Sequence, residues 1–124
     1  MIEKLYREKW TTMDGLGGLI LVPTRELALQ VFEILRHISR LHEFSFGLVL
    51  GGKSVQGERT HLHAMNILVA TPGRLLQHLE EAVGFSCDNL QFLVIDEADE
   101  VLSLGFEETV RRILDYIPKK AQVN

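Results

Sequence analysis

Four short apolar runs punctuate an otherwise mixed chain: Leu19–Val22, Phe46–Leu50, Ile67–Ala70 and Phe92–Ile95. Each is rich in Val, Ile and Leu and only four or five residues long, which predicts strands buried on both faces of a sheet. Between them the period changes. Over 24–41 the apolar residues Leu27, Ala28, Val31, Leu35, Ile38 and Leu41 recur at spacings of one, three or four, which predicts a helix with one apolar face. Residues 72–83 (PGRLLQHLEEAV) and 106–117 (FEETVRRILDYI) carry similar faces. Strand and helix in alternation predict an α/β fold with a mainly parallel sheet. No internal repeat, low-complexity tract or linker-like stretch interrupts residues 1–124, so one domain is expected.

Each apolar run gives way to a polar or glycine-rich junction. Leu19–Val22 leads into Pro23-Thr24-Arg25-Glu26, and Phe46–Leu50 into Gly51-Gly52-Lys53-Ser54. Ile67–Ala70 leads into Thr71-Pro72-Gly73-Arg74, and Phe92–Ile95 into Asp96-Glu97-Ala98-Asp99. A parallel sheet brings all its strand C-termini to one edge, where ligands of α/β folds bind. Thr24 and Thr71 stand as N-caps and Pro72 suits a first helical position. Helix starts have free N–H groups and partial positive charge, so they hold phosphate, and Arg25 and Arg74 add charged donors. Gly51-Gly52 allows a ligand backbone to come close. Any one junction also reads as an ordinary strand end and helix cap. Three together suit the backbone of a polyanionic strand, read without regard to sequence.

Charge constrains this picture. Thirteen basic against 17 acidic residues leave a net charge of −4, so a nucleic-acid contact must be local. The hydrophobic fraction of 46% and charged fraction of 24% are those of a globular domain with a real core. One cysteine, Cys87, excludes an internal disulfide, fits a reducing, intracellular setting and is expected to be inert. No apolar run approaches the ~20 residues of a membrane span, and residues 1–12 are too polar for a signal peptide, so no membrane partner is expected. His61 and His63 read as surface residues, and Arg111-Arg112 and Lys119-Lys120 as short solvated patches.

The acidic cluster after Ile95 has two readings. A hydrophobic strand ending in Asp-Glu is the Walker B arrangement of nucleotide hydrolases, in which the Asp helps hold magnesium and the next carboxylate orients water. The same acids also suit the positive end of a helix. A formal phosphate-loop match exists at 47–54, GLVLGGKS. A working loop there would expose Leu48, Val49 and Leu50, which fit better as the end of a buried strand, so the match is expected to be false.

PTRELA at 23–28, GG at 51–52, TPGR at 71–74 and DEAD at 96–99, with VLSLGF at 101–106, occur in the order and spacing of a DEAD-box ATP-dependent RNA helicase. The chain resembles the first RecA-like domain of that family along nearly its whole length. Two stretches, IEKLYREKW…DGLGGLILVPTRELALQ and ATPGRLLQHLEE, most resemble the nucleolar branch that acts in small-ribosomal-subunit assembly. The resemblance implies ATP and Mg²⁺ as cofactors, with Asp96 holding magnesium through water and Glu97 activating the hydrolytic water. Asp99 would couple nucleotide state to closure against a second RecA-like domain. Thr24, Arg25, Gly51, Gly52, Thr71, Gly73 and Arg74 would line the path of an RNA backbone. The same resemblance implies a place in ribosomal RNA processing and in the nucleus or nucleolus.

By resemblance, too, the adenine-reading segment and true phosphate loop belong before residue 1, and the Ser-Ala-Thr motif shortly after Gln122. Residues 1–124 are therefore expected to be a partial RecA-like domain, inactive by itself. Glu100 stands where many members have a basic residue. With its usual neighbours missing, Phe92–Ile95 is expected to be an apolar edge open to self-association. The competing expectation is a non-catalytic module that binds RNA backbone or another protein.

Overall fold

The computed structural model describes residues 15–38, 45–50, 65–81, 87–96, 99, 105–119 and 121–123. Five strands alternate with three helices among them: β1 (Gly18–Leu21), α1 (Arg25–Ile38), β2 (Phe46–Val49), β3 (Ile67–Ala70), α2 (Pro72–Glu81), β4 (Phe92–Ile95), α3 (Glu107–Leu114) and β5 (Gln122–Val123). All five are parallel, in the order β2-β3-β1-β4-β5. The four apolar runs and the three helical periods of the sequence each become the element expected of them.

Successive strand residues feed opposite faces of the sheet, as the period of two requires. Leu19, Leu21, Leu68, Ala70 and Leu93 pack with Leu75, Leu76 and Leu79 of α2 and Ile113 of α3. Ile20, Val22, Val69 and Leu50 pack with Leu27, Ala28, Val31, Phe32 and Leu35 of α1. One helix therefore covers one face and two cover the other, which is why the strands are apolar on both sides. Gly47 sits inside β2 because β3 comes so close: a Cβ there would lie 2.7 Å from Leu68 Cδ2 and 2.9 Å from Met65 Cγ.

The N-terminal ends of β1, β2 and β3 are tied by Asn66, which is fully buried. Its side-chain oxygen accepts from the Ser45 N–H at 3.2 Å and its amide donates to the Gly15 carbonyl at 2.9 Å. Its backbone carbonyl accepts from the Gly17 and Gly18 N–H groups. Gly15 can present its carbonyl this way because it holds a φ of 76°, which favours glycine.

One expectation is corrected. Phe92–Ile95 is not an edge: β4 lies between β1 and β5, with Phe92 opposite Gln122 and Leu93 opposite Val123. The backbone groups of β4 at Phe92 and Leu93 that would have invited self-pairing are taken up by β5 of the same chain. Arg111 and Arg112 are exposed, as expected, and are paired on the surface. Arg111 pairs with Glu107 and Glu108 along α3, and Arg112 reaches Glu80 of α2. His61, His63 and the predicted helix ends at 39–41 and 82–83 lie outside the described residues.

Candidate functional site

The C-terminal ends of β1, β2, β3 and β4 lie at one edge, and their order is set by the sheet. Thr71 N–H donates to the Val49 carbonyl (3.2 Å), Val22 N–H to Ala70 (3.0 Å) and Asp96 N–H to Leu21 (2.9 Å). Reading across, the end of β2 is followed by Thr71–Arg74, then Thr24–Arg25, then Asp96. With strands about 4.8 Å apart, the row is about 15 Å long. Thr71–Arg74 and Thr24–Arg25 are contiguous beside the end of β2, and Asp96 flanks them.

Each junction has its own local cause. Thr24 caps α1: its Oγ1 accepts from the Leu27 N–H at 3.2 Å, and its carbonyl takes the first helical bond, from Ala28. Arg25 stands at the first helical position, exposed. The Thr71 carbonyl takes the corresponding bond from Leu75, and Pro72 opens α2, where a missing N–H costs nothing. Gly73 is exposed, and a Cβ placed there would meet nothing within 4 Å. Its backbone has no left-handed φ, so neither packing nor conformation within the described residues demands a glycine.

Arg74 is half-buried and turned back toward β2. Its Nε–H donates to the Leu50 carbonyl at 3.1 Å, and Nη1 lies 3.4 Å from Gln77 Oε1. The sequence marked Arg74 only as a charged donor, and this bond between TPGR and the end of β2 is legible only in the fold. Asn66 was missed as well. Its one signal was a lone amide directly before the apolar run Ile67–Ala70.

Asp96 is exposed at the end of β4, and Asp99 is exposed and helical. Gly51, Gly52, Lys53 and Glu97 lie outside the described residues, as does Glu100. The first half of the formal phosphate-loop match does not form a loop. Phe46–Val49 is a paired strand, and Val49 and Leu50 are buried. Cys87 is buried away from this edge, and its thiol is pushed up to about 12 by burial first and by the neighbouring Asp88 second. Among the described residues no group of three His, Cys, Asp or Glu side chains could hold a metal ion. None of their helices is long and apolar enough to cross a membrane.

Residues 1–124 match the family model of the DEAD/DEAH box helicases along their whole length. The chain belongs to that family. This helicase chain is 57% identical over 122 residues to ATP-dependent RNA helicase dbp4 of Sclerotinia sclerotiorum and 55% identical to its counterpart from Coccidioides immitis. Each match covers 98% of the chain and 15% of the relative, so the chain spans a small part of the proteins it resembles. The solved structures agree. A DEAD box protein from Methanococcus jannaschii is 33% identical with a TM-score of 0.85, over 91% of this chain and 31% of that one. The yeast DEAD-box splicing factor Prp28 is 31% identical with a TM-score of 0.80, over 90% and 28% respectively. The DEAD-box helicase chain therefore has the RecA-like fold of these neighbours.

Proposed function

We propose that residues 1–124 form part of the first RecA-like domain of an ATP-dependent RNA helicase. RNA backbone lies across the ends of β2, β3 and β1, and the nucleotide's phosphates meet the end of β4. The observation that carries this reading is the strand order, which sets three phosphate-type junctions side by side and the acidic one at their flank. One polyanion can then run along three adjacent strand ends while a second is handled next to it.

In this arrangement Thr24 and Arg25, Gly51 and Gly52, and Thr71, Gly73 and Arg74 serve the RNA backbone. Their amides and hydroxyls and the Arg25 guanidinium bind phosphate and sugar without sequence preference, while Arg74 serves by what it holds in place. Gly73 supports the reading, because a glycine in a helix costs about 1 kcal/mol relative to alanine and nothing among the described residues requires it. Asp96 and Glu97 serve the nucleotide. Magnesium keeps most of its waters and uses one or two carboxylates beside substrate phosphates, so an exposed hard oxygen donor such as Asp96 fits it without a larger ligand cluster. The ion would neutralise charge on the phosphates. Glu97 orients and deprotonates the attacking water, and Asp99 passes nucleotide state to a second RecA-like domain. The loop that cradles the phosphates is a segment other than 47–54. Resemblance to the small-subunit assembly branch supports ribosomal RNA processing as the role and the nucleolus as the place.

Calorimetric titration of Mg-ATP into the 124-residue chain and its Lys53→Ala variant tests the nucleotide half. The expected result is no tight binding to either. Binding abolished by Lys53→Ala would make 47–54 a working phosphate loop and overturn the reading. In the full-length protein carrying these residues, Glu97→Gln is expected to remove RNA-stimulated hydrolysis while retaining ATP. A fluorescent fusion tests the place: nucleolar signal is expected, and exclusion from the nucleus would sink that part.

A further inference from the structure

The end of β2 is held twice from the same neighbour. Val49 gives its carbonyl to the Thr71 N–H, a backbone rung. One residue on, Leu50 gives its carbonyl to a side chain, the Nε–H of Arg74. Leu50 is only 1% exposed and is the residue directly before Gly51-Gly52. Its carbonyl is therefore in a place where a hydrogen bond counts. The guanidinium is held along a second edge through Nη1 and Gln77, one helical turn on.

Resting on the RNA reading above, we propose that Arg74 is a positioning residue for a single-stranded RNA backbone. Its Nε–H fixes the end of β2 at Leu50; its charge on a phosphate is secondary. This role ties TPGR to the end of the neighbouring strand. TPGR then shapes the neighbouring site as well as its own.

Two substitutions separate donor from charge. In Arg74→Gln the side-chain amide nitrogen occupies the place of Nε and can donate to Leu50, but the charge is gone. In Arg74→Lys the charge stays, but a methylene occupies the place of Nε and nothing can donate there. Binding of fluorescein-labelled oligouridylate to the full-length protein is measured by anisotropy over a range of salt. Arg74→Gln is expected to stay within about threefold of wild type with an unchanged salt slope, and Arg74→Lys to weaken about tenfold or more. The reverse order, with the slope of Arg74→Gln reduced by about 0.7, makes Arg74 a phosphate contact and overturns the proposal. Equal loss in both variants, or none in either, overturns it too. If Arg74→Lys melts below the assay temperature, the affinity and slope of Arg74→Gln decide alone. No RNA binding by the unsubstituted protein overturns the RNA reading itself, and this inference with it.

Discussion

Gly73 and Asn66 are opposite kinds of residue. Gly73 lies in an exposed helix with empty space where its Cβ would be, so the fold would be better served by alanine. Gly73→Ala is expected to raise stability by about 0.4–1 kcal/mol in urea denaturation, through helix propensity and a less flexible unfolded chain. The same variant is expected to bind single-stranded RNA more weakly, because the added methyl lies where the backbone would pass. Stability and binding moving in opposite directions is the outcome that matters; parallel loss of both would mean a packing role. Asn66 is the reverse, fully buried and bonded on both sides of its amide. Asn66→Ala removes its bonds to the half-buried Ser45 N–H and Gly15 carbonyl, and each lost hydrogen bond costs about 0.5–1.5 kcal/mol. A fall of that size in unfolding free energy is expected with the m-value unchanged.

At the level of elements, the sequence shows most where one residue type has one physical use. Four apolar runs bounded by polar turns could only be buried strands, and Thr-Pro or Thr-Arg after them could only start helices. Thr24 makes the cap that its position implies, and Thr24→Ala is expected to cost about 1 kcal/mol by thermal or urea denaturation. The ladder order was not legible. Nothing local tells β1 that its neighbours are β3 and β4, since pairing depends on crossovers whose helices reveal only that they are amphipathic. β5 escaped for another reason. Gln122–Val123 is too short to show a period, and its pairing with β4 decides whether 92–95 is an edge. The residues proposed for the site stood out in the sequence because phosphate chemistry uses few types. Arg74 reaching Leu50 was not, because a guanidinium bound to a carbonyl has no signature in the sequence.

Helices cover both faces of one sheet, and Cys87 is buried in the cluster on the α2 and α3 side. The folded thiol keeps its proton up to about pH 12, against an ordinary value of 9.0, because burial disfavours the thiolate and Asp88 adds to the effect. The folded state therefore binds more protons than the unfolded one between those limits. The stabilisation is complete below pH 9.0 and is lost as pH rises toward 12. Each pH unit within the window is expected to shift the folding equilibrium about tenfold toward the unfolded chain. Urea titrations from about pH 8 upward on wild type and Cys87→Ala check this: the variant, whatever its absolute stability, should lose that share of the slope. Alkylation of the native thiol at neutral pH should likewise wait on unfolding.

The position of β1 has a further consequence, for the order of events in time. β1 precedes the other four strands in the chain and stands in the middle of the sheet, and Leu19 pairs with Leu68 on one side and Leu93 on the other. Its immediate successor β2 is not its neighbour. A ribosome adding roughly 5–20 residues per second would therefore hold the central strand unpaired for several seconds until its partners emerge. Long-range parallel pairing also makes refolding slow, in the range of milliseconds to seconds, with loop closure ahead of any reward in contacts. For that interval GLIL is an apolar strand with two open sides. The segment that later forms the centre of the sheet is, at synthesis, the one most open to mispairing.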